Sequence, residues 1–125
     1  MNYRHAYHAG NFADVLKHII LILLIEHQKK KEAPFRVIDT HAGIGLYDLT
    51  AIEPLKTNEW SSGIGRVFDK SLSFQNEVLL EPYLKVIKDE NPQGNLKFYP
   101  GSPLISRRLL RPQDRLIVNE LHPEE

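Results

Sequence analysis

Apolar residues recur at helical spacing through Phe12, Val15, Leu16, Ile19, Ile20 and Leu23. Asn11 precedes them as a candidate cap, and Asp14 sits near the positive end of the helix dipole. Lys29 to Lys31 suit a carboxyl end, so the pattern predicts a helix over about residues 12–31. The apolar stripe broadens after residue 18, and the second half is expected to be buried on more than one side. Ala33-Pro34 stops the helix. Phe35 to Asp39 then predicts a short strand running into a glycine turn at Gly43 and Gly45.

From about residue 51 to 94 the pattern changes to short helical faces separated by turn signals, with Asn91-Pro92-Gln93-Gly94 closing the segment. Val67, Phe68, Leu72 and Phe74 form one such face, and Tyr83, Leu84 and Ile87 another. This predicts a helical insertion over 51–94. Leu96 to Tyr99 is a short strand. Gly101-Ser102-Pro103 opens a helix, with Ser102 as cap and Pro103 in its first position. Arg111-Pro112 ends that helix, and Asp114 to Glu120 predicts a second main strand ending in a carboxylate. Strands joined through helices imply parallel pairing. The expected fold is α/β, the first half of a doubly wound domain, with residues 1–50 and 95–125 forming its sheet region.

The run Ile19 to Ile25 is far shorter than the ~20 apolar residues of a membrane span, so a buried helix is expected. The polar opening predicts no signal peptide. Net charge is zero, which does not favour a bulk nucleic-acid binder. The absence of cysteine excludes disulfides and thiolate metal sites and fits a reducing cytoplasm. His5 and His8 lack a third ligand at supporting spacing, so no metal site is expected.

The chemistry concentrates at the end of the first strand, where open α/β sheets bind ligands. Gly43 and Gly45 allow a sharp turn and close approach of a ligand. Asp39 can accept hydrogen bonds from a ligand ammonium or order the loop. A dinucleotide fingerprint needs a small residue where Asp48 stands, and a carboxylate there repels a pyrophosphate. S-adenosylmethionine carries no phosphate, and Glu120 is placed to accept its ribose hydroxyls. Lys17 and His18 are either solvated or point across to the glycine loop. In the N-terminal segment, either aromatic rings stack on bases and Arg4 reaches phosphate, or the segment is an arm that packs on the domain. Arg107, Arg108, Arg111 and Arg115, with Arg4 and the lysines near residue 30, form either a phosphate-binding face or a solvated helix surface.

Six spaced motifs carry a family resemblance: Tyr3-Arg4-His5, His8-Ala9-Gly10-Asn11, Ala13 to His18, Asp39-Thr40-His41-Ala42-Gly43, Tyr99-Pro100-Gly101-Ser102-Pro103 and Glu120-Leu121-His122-Pro123. Together they resemble the bacterial 23S rRNA adenine-N6 methyltransferases of the RlmJ type, a family with an older label for utilisation of external DNA. The resemblance implies a class I, Rossmann-like methyltransferase fold with an inserted helical subdomain. It implies methyl transfer from S-adenosylmethionine to adenine N6 of 23S rRNA in the cytoplasm. It also implies that His18, His41, Ser102 and Glu120 contact the cofactor with Lys17 close by, and that Tyr3 meets the RNA. The family's Asp-Pro-Pro-Tyr catalytic motif does not occur in these 125 residues. The chain is therefore expected to be the N-terminal portion of a longer, monomeric protein, inactive alone and prone to self-association. The competing readings are a non-catalytic protein of nucleic-acid binding or DNA utilisation and a nicotinamide-dependent oxidoreductase.

Overall fold

A computed structural model describes residues 3–125. The chain is mixed α/β. Its longest helix, α2 (Phe12–Lys29), follows a short helix α1 (His5–His8) that the alternating aromatic and basic residues of the N-terminal segment did not predict. Asn11 caps α2 by accepting the Asp14 N–H at 2.9 Å, and the Asp14 carboxylate accepts the Gly10 N–H at 3.0 Å. The two side chains thus satisfy donors reciprocally, as in a capping box.

Strand β1 (Arg36–Asp39) pairs in parallel with β4 (Arg115–Val118), Asp39 opposite Val118, as expected for strands joined through helices. The glycine turn after β1 does not open a helix. It leads into β2 (Leu46–Asp48), which pairs antiparallel with β3 (Phe98–Pro100). Purely parallel pairing is therefore corrected: β2 is too short to show a period, and its partner lies about fifty residues further on.

Between β2 and β3 run α3 (Ile52–Thr57), a 3₁₀ turn (Glu59–Ser61), α4 (Ile64–Phe68) and α5 (Phe74–Asp89). Helix α5 is continuous through Pro82. These elements share a core with the rest of the chain: Ile64, Phe68, Tyr83, Val86 and Ile87 pack with Ala9, Ile22, Tyr47, Leu49, Tyr99 and Ile105. The entry to α2 meets α4 through a close glycine approach. The Ile64 N–H donates to the Gly10 carbonyl at 2.9 Å. A Cβ on Gly63 would lie 2.2 Å from that carbonyl oxygen. Buried Asn91 uses its whole amide, accepting from the Lys97 and Phe98 N–H groups and donating to the Ile87 and Phe98 carbonyls.

Helix α6 (Ser102–Leu109) packs against β1, β3, β4 and α2. Its cap is Gly101 rather than Ser102. The Ser102 side chain points instead to the Asp39 carboxylate. Helix α2 also departs from expectation. His18, Ile22 and Ile25 are buried on one face, while Phe12, Leu16, Ile20, Leu23 and Leu24 form an exposed apolar stripe on the opposite face. Leu24 is 60% exposed. Ile38, Ile117 and Val118 of the β1–β4 pair are exposed as well. The second half of α2 is thus covered on one side only. Among the described residues, no helix is long and apolar enough to cross a membrane.

Candidate functional site

The carboxyl end of β1 opens onto a cleft of about 330 Å³, within the range of small-molecule sites. Lys17, His18, Asp39, His41 and Ser102 all line it. Three elements bring them together. Helix α2 supplies Lys17 and His18, the end of β1 supplies Asp39 and His41, and the first turn of α6 supplies Ser102. The Asp39 carboxylate accepts the Ser102 hydroxyl with one oxygen and the His41 N–H with the other at 3.3 Å. Lys17 pairs with Asp14 at 3.1 Å and stays largely exposed.

His18 is buried, and burial lowers its pKa to about 4, so the imidazole is neutral at pH 7. Its Nδ1 lies 2.7 Å from the Tyr99 hydroxyl, whose oxygen lies 3.1 Å from that of Tyr83. Both tyrosines are buried, which pushes their pKa values up and keeps them protonated.

Glu120 occupies a second cleft, of about 590 Å³, with Tyr3, His5 and Asn119. Thr40 and His41 line both clefts and form the ridge between them. The residues expected in one pocket are therefore divided over two adjoining ones. One Glu120 oxygen accepts the Gly43 N–H at 2.8 Å and the other the His122 N–H at 2.7 Å. These bonds hold its pKa below the usual carboxylate value. Gly43 adopts φ +61°, and a Cβ there would lie 2.2 Å from the Tyr47 hydroxyl oxygen. Tyr47 and His5 thus close the turn around Gly43.

Several of the basic side chains are paired within the chain. Arg4 does not present a free guanidinium. It approaches Glu53, Glu124 and Glu125 at 3.7, 3.1 and 3.9 Å and lies over the Tyr7 ring. Three of the four arginines near α6 have partners within the chain. Arg108 pairs with Glu90. Arg115 donates to the Pro112 and Asp114 carbonyls. Arg111 pairs with Asp114 at 3.0 Å and donates to the carbonyls of Lys29, Lys31 and Ala33. It thereby binds the carboxyl end of α2 to the start of β4.

Tyr3 stacks on His8 at 4.9 Å and meets His5 edge-on at 5.1 Å. His8 itself bonds Glu59 at 2.9 Å. Among the described residues, no group of three His, Asp or Glu is placed to hold a metal ion.

Ser106 was missed from the sequence. It is fully buried, lines the first cleft, and its hydroxyl has no partner among the described residues. Its signal was its position one turn after Ser102 on the same face of α6. A neutral imidazole, a carboxylate and the Ser102 hydroxyl beside it suit a polar ligand that offers hydrogen-bond donors. Strand β2, rather than a helix N-terminus, follows the glycine turn.

The model of the family described as ribosomal RNA large subunit methyltransferase D, RlmJ, matches residues 32–125. The chain belongs to this family. It is 47% identical over 125 residues to the ribosomal RNA large subunit methyltransferase J of Escherichia coli K12. It is 47% identical over 126 residues to the protein of the same name from Haemophilus influenzae Rd. Each match covers 100% of this chain and 44% of the relative. The chain therefore spans less than half the length of these curated relatives. A crystal structure of protein LPL1258 from Legionella pneumophila superposes with a TM-score of 0.83 at 42% identity. That superposition covers 94% of this chain and 42% of the other.

Proposed function

We propose that this chain forms the S-adenosylmethionine-binding part of a cytoplasmic methyltransferase acting on adenine N6 of 23S rRNA. The convergence of Lys17, His18, Asp39, His41 and Ser102 on one cleft at the end of β1 carries the reading. The fold it belongs to is the class I, Rossmann-like one, with residues 51–94 as its helical insertion and 1–50 with 95–125 as the sheet region. The cofactor supplies an electrophilic methyl group when bound. Asp39 accepts hydrogen bonds from it, Ser102 holds the Asp39 carboxylate in place, and His41 and Glu120 act across the Thr40–His41 ridge. Tyr3, which lines the second cleft, meets the RNA in this reading. Asp-Pro-Pro-Tyr is not in this sequence, so nothing here holds the target amino group in line with the methyl sulfonium.

Equilibrium dialysis with labelled S-adenosylmethionine, with NAD as competitor, tests the reading. Saturable retention of the label that NAD does not displace supports it. Retention of NAD alone would sink it, and DNA binding without cofactor affinity would favour the DNA-utilisation reading. The same labelled cofactor, mixed with an adenine-containing RNA and this chain, should leave the RNA unmethylated. The exposed apolar stripe of α2 should drive self-association, which light scattering measures; a monodisperse monomer would contradict that.

A further inference from the structure

Three buried groups on three elements form one hydrogen-bonded row behind the first cleft: Tyr83 on α5, Tyr99 on β3 and His18 on α2. A row of hydroxyls and an imidazole can run in two directions. In one, Tyr83 donates to Tyr99 and Tyr99 donates to Nδ1 of His18. Both hydroxyl hydrogens then have acceptors, and the imidazole proton sits on Nε2. In the other, Nδ1–H donates to Tyr99 and Tyr99 donates to Tyr83. The Tyr83 proton is then left in the core without an acceptor, because Tyr99 is the only partner of that hydroxyl among the described residues. A buried donor without a partner is the costly case. The first direction wins.

The Nε2 atom completes the argument. It makes no hydrogen bond among the described residues and is not one of the sealed, unpaired polar atoms, and His18 lines the cleft. The imidazole thus borders the open space of that cleft.

We infer that Tyr99, oriented by Tyr83, is a positioning residue that fixes His18 as the Nε2–H tautomer, so that the cleft takes a ligand acceptor atom at His18. The identity of the ligand rests on the reading in Proposed function; the tautomer does not.

Two-bond proton–nitrogen correlation spectra of the 125-residue chain with ¹⁵N-labelled histidine test this, with His18 assigned by its loss in His18→Gln. The expected result at neutral pH is a single Nε2–H tautomer for His18. An Nδ1–H tautomer would overturn the inference. Tyr83→Phe should keep the tautomer, because Tyr99 still donates to Nδ1. Tyr99→Phe should populate both tautomers. A Tyr99→Phe spectrum identical to that of the unmodified chain would also overturn the inference. The affinity for S-adenosylmethionine should fall about five-fold in Tyr99→Phe, the scale of one hydrogen bond. Absence of cofactor binding in the unmodified chain, with the Nε2–H tautomer intact, would sink the cofactor and leave the relay standing.

Discussion

The two ends of strand β1 use polar groups in opposite ways. At its start, the Asp114 carboxylate accepts the N–H groups of Phe35 and Arg111, and the Arg111 guanidinium caps carbonyls beyond α2. Donors and acceptors there satisfy one another, and Arg111 holds the Asp114 pKa well below the usual carboxylate range. At the other end, Lys17, His18, Asp39 and Ser102 line a cleft, and the Asp39 oxygen turned to His41 accepts only one N–H, at 3.3 Å. Polar groups that close on each other hold a fold together. Groups left open at the end of a parallel strand are available to a ligand.

The largest expected effect lies at the closed end. Asp114→Ala should lower the melting temperature more than any substitution in the cleft, because it leaves Arg111 without its carboxylate and the Phe35 N–H without its acceptor. Thermal denaturation of the variants side by side checks this; an equal or larger loss in Ser102→Ala would break the contrast.

Next comes a separation by pH. His18 has an ordinary pKa of 6.5, lowered to about 4 by burial in the folded chain. The unfolded chain therefore binds the extra proton first. Its contribution is complete above about pH 6.5 and declines as the pH falls toward 4, by roughly 3 kcal/mol in all. Asp114 is shifted the same way from a lower starting value, so its contribution is present at neutral pH and lost in stronger acid. Urea unfolding at a series of pH values should show both windows, with His18→Gln removing only the upper one. An unchanged upper slope in His18→Gln would contradict the burial argument.

The smallest effect is expected at Ser106. Ser106→Ala should leave stability within about 1 kcal/mol, because no protein hydrogen bond is lost. Binding of S-adenosylmethionine should weaken only a few-fold. A large loss of stability would show that the hydroxyl has a structural partner.

What was legible in the sequence follows the same division. Helix α2, strands β1 and β4 and helix α6 were legible because periodicity, caps and Pro34 or Pro112 act locally. The β2–β3 pair was not, since three-residue strands carry no period and their pairing depends on a long excursion. Arg108 and Arg111 were open between a phosphate face and a solvated helix surface because their acceptors, Glu90 and the carbonyls of Lys29 to Ala33, lie far off in sequence. Ser102 suited a helix cap by type and position, yet tertiary contact turns it to Asp39. Lys17 and His18 were open between solvent and the glycine loop; burial of Ile22 and Ile25 on the same face draws His18 inward. The cluster at the end of β1 was visible as motifs, but its division by the Thr40–His41 ridge was visible only in three dimensions.

The central claim is that the open end of β1 holds S-adenosylmethionine. Calorimetric titration of the unmodified chain and of Asp39→Ala with this cofactor tests it most directly. The account predicts a saturable micromolar isotherm for the unmodified chain, weakened at least about ten-fold in Asp39→Ala. No binding by the unmodified chain, or equal binding by both proteins, would contradict it.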